Sequence, residues 1–344
     1  MKYISVLILL SLLFVSIVTA QEDTMQTFDF EIHNNNQAVI PLGEAGAWDS
    51  VQVWSPQIIE HDDLYYMFYT GNSQSGLMNT AIGYATSTDG YTWEKASANP
   101  IYQYFYTGEY QSYPIPVTLG RVLVEDDGTW VMYYTFPNLA WGLPTGEIYR
   151  ATASNPDGPW VQEETPVLVG GMPNSWNYHI GPQNIFKVGD EYRLYYTGFM
   201  GRNQRDEEAW SNPQIGLATS SDGVNFTHIE TPILATAEDN EWESYGVTSA
   251  TVRQTETGWE LFYIGHPRPI YTFPNPENSY LQVGYATSSD GINWTRQSEN
   301  PIATTEETGW PLLGVLVIDD TYFLYYDHNW GASGISLMTA TVTE

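Results

Sequence analysis

The chain has no cysteine in 344 residues and only 11 basic side chains. Without cysteine there is no disulfide scaffold, no thiolate metal site and no thiol nucleophile. With so few Lys and Arg against 41 Asp and Glu, the formal charge is −30, which excludes a nucleic-acid-binding face and disfavours anionic membrane surfaces. Also missing are a His-x-x-x-His pair, a phosphate-cradling Gly-rich loop ahead of a helix, and a Gly-x-Ser-x-Gly elbow. Zincins, nucleotide hydrolases and the common serine hydrolases are thereby set aside. Aromatics are plentiful instead: 13 Trp, 26 Tyr and 12 Phe. A chain of this length and aromatic content can bury a core large enough to offset the entropy of folding. The acidity reads as a solvated, salt-tolerant surface.

Residues 1–20 read as a signal peptide. Lys2 supplies a positive start, Ile4 to Val18 is almost wholly apolar, and Val18-Thr19-Ala20 offers small residues for cleavage. No cysteine follows, so a lipoprotein anchor is excluded. The expectation is a secreted protein, extracellular or periplasmic, free of the membrane after cleavage. Asn225-Phe226-Thr227 and Asn293-Trp294-Thr295 match the glycosylation sequon, which matters only in a eukaryotic host.

Internal repetition is the strongest signal. A Tyr-rich run occurs five times: LYYMFYTG at 64–71, WVMYYT at 130–135, YRLYYTG at 192–198, WELFYIG at 259–265 and YFLYYD at 322–327. Its anchor tyrosines, Tyr69, Tyr134, Tyr196, Tyr263 and Tyr326, are spaced by 65, 62, 67 and 63 residues. A second phrase follows: IGYATSTDGYTW at 82–93, IYRATASNPDGPW at 148–160, IGLATSSDGVNF at 215–226, VGYATSSDGINW at 283–294, and a degraded GISLMTAT at 334–341. A third closes the unit as ANPI, TPVL, TPIL or ENPI. Each unit holds four short strands, A to D, with Asp-Gly turns that signal hairpins. Sequential four-stranded sheets predict an all-β, five-bladed propeller. The fifth unit stops after strand C, and an orphan strand lies at Thr27–Ile32. Pairing that strand into the last blade closes the ring and removes a sheet edge. The expected organisation is one domain over 21–344, with blades at about 45–101, 102–168, 169–234, 235–302, and 303–344 plus 27–32.

The A–B and C–D turns are short, whereas the B–C loops are long and unlike one another. Function concentrates on such loops. They carry Trp141, Trp210, Trp330, Arg202, His266, Asp327 and His328, a mixture of aromatics and polar groups suited to sugar rings. Residues entering each strand A are expected at the central funnel. There Trp48-Asp49 and Trp242-Glu243 pair a tryptophan with an acid. The tryptophan reads as inter-blade packing. The acids are absent from the other blades, which makes Asp49 and Glu243 the candidate carboxyl pair that glycoside hydrolysis needs. Glu109 and His179 are the next funnel candidates, His179 as a substrate ligand, a catalytic assistant or a satisfied buried histidine. Asp327 and Asn329 carry oxygen donors, but no loop of calcium-binding spacing exists. No cofactor and no metal are implied, and a monomer is expected.

These phrases, with Trp48-Asp49-Ser50 and the SPQII…LYYMFYTG strand pair, resemble the five-bladed propeller superfamily of glycoside hydrolase families 43, 62, 32 and 68 over residues 27–344. The resemblance implies a funnel with an acid on each of blades one, two and three. Residue by residue, the family's Asp-Pro of the first strand A reads Ser55-Pro56 here, and its Glu-Gly-Pro of the third reads Ile180-Gly181-Pro182. No Arg-Asp-Pro occurs in blade two. Asp49 stands for the blade-one acid by analogy with the Trp-Asp-Ser of family 68. The implied activity is a secreted glycoside hydrolase acting on a polysaccharide or oligosaccharide. The alternative is a carbohydrate-binding propeller that has lost the catalytic acids.

Overall fold

A computed structural model describes residues 26–74, 79–107, 112–115, 117–137, 144–200, 211–237, 239–267, 280–306, 313–329 and 331–342. Five antiparallel sheets follow one another along the chain. Their A strands are Gln52–His61, Thr118–Val124, His179–Val188, Gly246–Gln254 and Leu313–Ile318. These five contact one another in a ring, and the fifth returns to the first, so they are the inner strands of a five-bladed propeller. Each blade then steps outward through B and C to a two-residue strand D, such as Glu94–Lys95 in blade one and Thr295–Arg296 in blade four.

The repeated phrases explain the blades. Strand B is buried on both faces, so its apolar run is continuous rather than alternating. In the Ser-x-Asp-Gly turn of strands C and D, the Ser87 hydroxyl accepts the Gly90 N–H at 2.9 Å and Asp89 accepts the Tyr91 and Thr92 N–H groups. Ser220 with Asp222 and Ser288 with Asp290 repeat this turn. The glycine that follows has φ near +70° in all three, a conformation that disfavours any other residue. The turn also joins blades. Its glycine carbonyl accepts a tyrosine hydroxyl from the preceding blade: Tyr325 to Gly90, Tyr133 to Gly223 and Tyr195 to Gly291. In the third phrase, Asn99 and Asn300 use their side-chain amides to pair both backbone groups of Tyr84 and Tyr285.

Ring closure follows the expected route with a shorter strand. Only Glu31–Ile32 pairs with Ile335–Thr341 in the last blade. Phe28 does not extend that strand. Its ring packs into the seam of blades four and five, 5.0 Å from Tyr285 and 5.2 Å from Tyr322. Burying the ring outweighs two more ladder bonds on an exposed edge. Beneath this seam Glu260 accepts the hydroxyls of Tyr285 and Tyr322 and pairs with Arg253 at 2.6 Å, which ties blades four and five.

Candidate functional site

The structure gives Asp49 and Glu243 a different office from the one expected. Trp48 stacks on the anchor Tyr69 at 5.4 Å and lies over Gly71 and Gly83, where any side chain would collide with the indole. This turns the Asp49 carboxylate toward the outermost strand of its own blade. It accepts Lys95 Nζ at 2.6 Å and the Tyr69 hydroxyl at 3.2 Å. Blade four repeats the arrangement. Trp242 packs on Tyr263 at 5.7 Å, and Glu243 meets Arg296 Nε at 3.0 Å and Asn240 Nδ2 at 2.8 Å. Blade three builds a neutral version, with Trp176 on Tyr196 at 5.8 Å and Asn177 beside Tyr196 and His228.

The two acids expected as a catalytic pair lie in separate blades, each ion-paired to strand D of its own blade. Asp49 is 2% exposed and Glu243 0%. Both face strand D, away from the inner strands, and both are consumed by a cation. They are clasps that pin the chain entering strand A across its own blade. The signal was present in the repeats. Strand D carries Lys95, His228 and Arg296 two residues after its aromatic, and the residue after the tryptophan is Asp, Asn and Glu in the same blades. Charge answers charge, and amide answers imidazole.

Antiparallel pairing puts the starts of the A strands and the ends of the B strands on one rim. His179 begins strand A of blade three and is buried, with its ring edge-on to Tyr178 at 4.6 Å. Gly146 of blade two approaches Tyr178 and His179. His266 ends strand B of blade four, and its Nε2 lies 2.7 Å from the Thr248 hydroxyl on the adjoining inner strand. Burial pulls the His266 pKa down to about 3, so the ring is neutral at physiological pH.

Asp327 ends strand B of blade five and is 4% exposed. It directly follows the anchor Tyr326. The residues after the anchor tyrosines of blades one to three are Thr70, Thr135 and Thr197. In blade one that threonine is structural, since its hydroxyl accepts the Leu119 N–H of the next inner strand at 3.0 Å. Asp327 thus puts a carboxyl where three blades hold a hydroxyl. It is a buried carboxyl with no acidic counterpart after the other anchor tyrosines. His328, expected to bind substrate, instead contacts Asn36 at 3.1 Å. Asn36 also accepts the Tyr326 hydroxyl at 2.7 Å, which ties His328 to the ring-closing segment. Of the remaining expected residues, Glu109, Trp141, Arg202, Trp210 and Trp330 lie outside the described residues.

No family model matches the chain. A stretch of 103 residues, 28% of the chain, is 30% identical to a beta-1,2-mannobiose phosphorylase of Thermoanaerobacter sp. (strain X514). The match spans about a third of that relative's length, 34%. Solved structures share the fold over nearly the whole chain. A glycosyl hydrolase from Bacteroides ovatus superposes with a TM-score of 0.62 at 19% identity, covering 91% of this chain and 94% of its own. A structure described for the family 130 mannoside phosphorylases, which contain glycoside hydrolases that target beta-1,2 mannosidic linkages in Candida mannan, gives 0.63 at 18% identity over 93% and 95%. A family 117 glycoside hydrolase of the marine bacterium Zobellia galactanivorans gives 0.60 at 16% over 92% and 91%. The five-bladed propeller of these carbohydrate-active proteins is the fold of this chain.

Proposed function

We propose that this propeller is a secreted enzyme that cleaves glycosidic bonds, with mannosides as its first substrate class, and that the reaction takes place at the rim where Asp327 lies. The observation that carries the reading is the replacement of the repeat's threonine by a buried carboxyl at the mouth of the ring. His179 and the neutral His266 stand at the corresponding ends of the two preceding blades and supply hydrogen-bonding groups for sugar hydroxyls. The shared fold and the mannoside-acting relative support the substrate class. The apolar segment Ile4–Val18 supports export.

Glycosidic cleavage by water uses two carboxyls, one as acid and one as base or nucleophile. Cleavage by phosphate needs only an acid from the protein, because the phosphate is itself the nucleophile. Asp49 and Glu243, ion-paired to Lys95 and Arg296, are left out of this assignment. Asp327 is assigned as the acid that protonates the departing oxygen. The test is incubation of the purified protein with β-1,2-mannobiose and with mannan, with and without inorganic phosphate, beside an Asp327→Asn variant. Turnover that falls at least about 100-fold in the variant supports the assignment. Free reducing sugar in the absence of phosphate marks a hydrolase, and sugar phosphate formed only in its presence marks a phosphorylase. Full turnover in Asp327→Asn would sink the role given to Asp327. Binding of these glycans without turnover favours the carbohydrate-binding alternative, which the structural use of Asp49 and Glu243 makes a specific second reading.

A further inference from the structure

The ring-closing segment does more than pair a strand. Its turn holds three consecutive residues, Asn34, Asn35 and Asn36, at φ +47°, +52° and +64°. Asparagine tolerates that region better than most residues, but a run of three persists only where its surroundings fix it. Asn36 supplies the fixing contacts. Its Oδ1 accepts the Tyr326 hydroxyl at 2.7 Å, its Nδ2 lies 3.1 Å from His328 Nδ1, and its carbonyl accepts the Ser336 hydroxyl at 3.3 Å. Tyr326 and His328 are the residues on either side of Asp327. The segment also grips the strand beside that carboxyl. Ile335 is the cross-strand partner of Asp327. Its carbonyl accepts the Val39 N–H at 2.8 Å, and its N–H donates to the Ile40 carbonyl at 3.0 Å. Gly334, one residue earlier, approaches Ala38 and Ile40 so closely that any side chain there would collide.

Other blades satisfy the anchor tyrosine differently. In blade one the Tyr69 hydroxyl donates to Asp49, and in blade three Tyr196 meets Asn177, each the residue directly after a tryptophan. Blade five has Pro311 after Trp310, and proline offers no side-chain acceptor. Its anchor Tyr326 turns to Asn36 instead, four residues beyond the short strand that the N-terminal segment adds to this blade. The tie on the fifth anchor therefore comes from the far end of the chain, and it lands on the backbone that carries Asp327. We infer that Asn36 is a positioning residue for Asp327. By bridging Tyr326 and His328 it fixes the carboxyl at the end of strand B, so closing the ring completes the site. This rests on the reading of Asp327 as the acid.

The experiment compares two variants of the one segment. Asn36→Gly keeps the backbone conformation, which glycine adopts freely, and removes both side-chain contacts. Phe28→Ala weakens the same segment through its packing on Tyr285 and Tyr322. Turnover is measured on a glycan that the parent cleaves and is referred to the folded fraction from urea unfolding. In Asn36→Gly, kcat should fall about 10- to 100-fold at nearly unchanged KM. In Phe28→Ala, kcat should stay within about twofold while stability drops. The ¹³C signal of the Asp327 carboxyl, read without substrate, should move in Asn36→Gly and stay in place in Phe28→Ala. Full kcat in Asn36→Gly, equal kcat losses in the two variants, or an unmoved Asp327 signal would each overturn the positioning role. Full turnover in Asp327→Asn would overturn the acid assignment instead, and a moved signal would then still place that carboxyl under the hold of Asn36.

Discussion

Glu243 and Asp327 are buried carboxyls in neighbouring blades, and they stand differently in the repeat. Glu243 sits under Trp242, receives Arg296 and Asn240, and has a counterpart in Asp49 with Lys95. Asp327 sits at the end of a B strand, on the rim, where blades one to three hold Thr70, Thr135 and Thr197 and blade four holds Ile264. Burial alone does not separate a structural acid from a chemical one. Repetition does: a charged pair that recurs across blades, each half answering the other, serves the scaffold common to the blades. A carboxyl that breaks the repeat marks what the blades do not share.

The largest effect should break this comparison cleanly if it is mistaken. Asp327→Asn should lower turnover by about 10²- to 10⁴-fold while urea unfolding stays within about 1 kcal/mol of the parent. Glu243→Gln should do the reverse, with turnover retained by the folded fraction. Paired kinetics and denaturation on both variants decide between the two roles. Loss of turnover in a fully folded Glu243→Gln protein would restore that acid to the chemistry.

Next in size is the cost of emptying a clasp. Glu243→Leu strands the Arg296 guanidinium, whose remaining hydrogen-bond acceptor among the described residues is the Ala235 carbonyl, and should cost about 3 kcal/mol. Asp49→Leu should cost less, about 2 kcal/mol, because Lys95 keeps the Pro41 carbonyl and can reach water. Urea midpoints at fixed m-value measure both. Equal and negligible losses would mean that the tryptophan stack alone holds the entering chain.

The five blades were legible in the sequence because every blade solves the same packing problem with the same phrase. Five anchor tyrosines at near-equal spacing, and Asp-Gly turns between strands C and D, are local chemistry that needs no partner from far away. The site was less legible. Asp49 looked catalytic because it departed from its neighbours at one position. The explanation, Lys95, lies 46 residues further on, on the outermost strand. Reading the strand-D column Lys95, His228, Arg296 against the column Asp49, Asn177, Glu243 would have revealed the clasps. Asp327 was visible as a loop residue, but its meaning came from its register behind Tyr326. The contact of His328 with Asn36 was not legible, because Asn36 belongs to the segment that closes the ring from the other end of the chain.

Acid should then separate rim from clasp more gently. The folded-state pKa of His266 is depressed to about 3, below its unfolded value near 6.5. The unfolded chain therefore binds the proton more readily, and stability falls as pH drops from about 6.5 toward 3. His266→Gln should flatten the pH dependence of the urea midpoint over that window. An unchanged slope in the variant would show that His266 opens to solvent before the fold is lost.

The smallest effect tests whether the clasp is a module. In blade three His228 Nε2 faces the Val169 carbonyl at 2.7 Å, so it carries the proton and donates there. Nδ1 is then the acceptor for the Tyr196 hydroxyl at 2.9 Å. Asn177 contributes long contacts, 3.3 Å to Tyr196 and 3.5 Å to His228. Asn177→Ala should accordingly cost only about 1 kcal/mol. Asn177→Asp combined with His228→Lys writes the blade-one pair into blade three. If each clasp depends only on its own blade, the double variant should stay within about 1 kcal/mol of the parent, and a double-mutant cycle should return a favourable coupling. A large additive loss would show instead that Val169, from the blade-two edge, makes the third clasp a joint between blades. The charged clasps of blades one and four would then be a different device that happens to share its tryptophan and tyrosine.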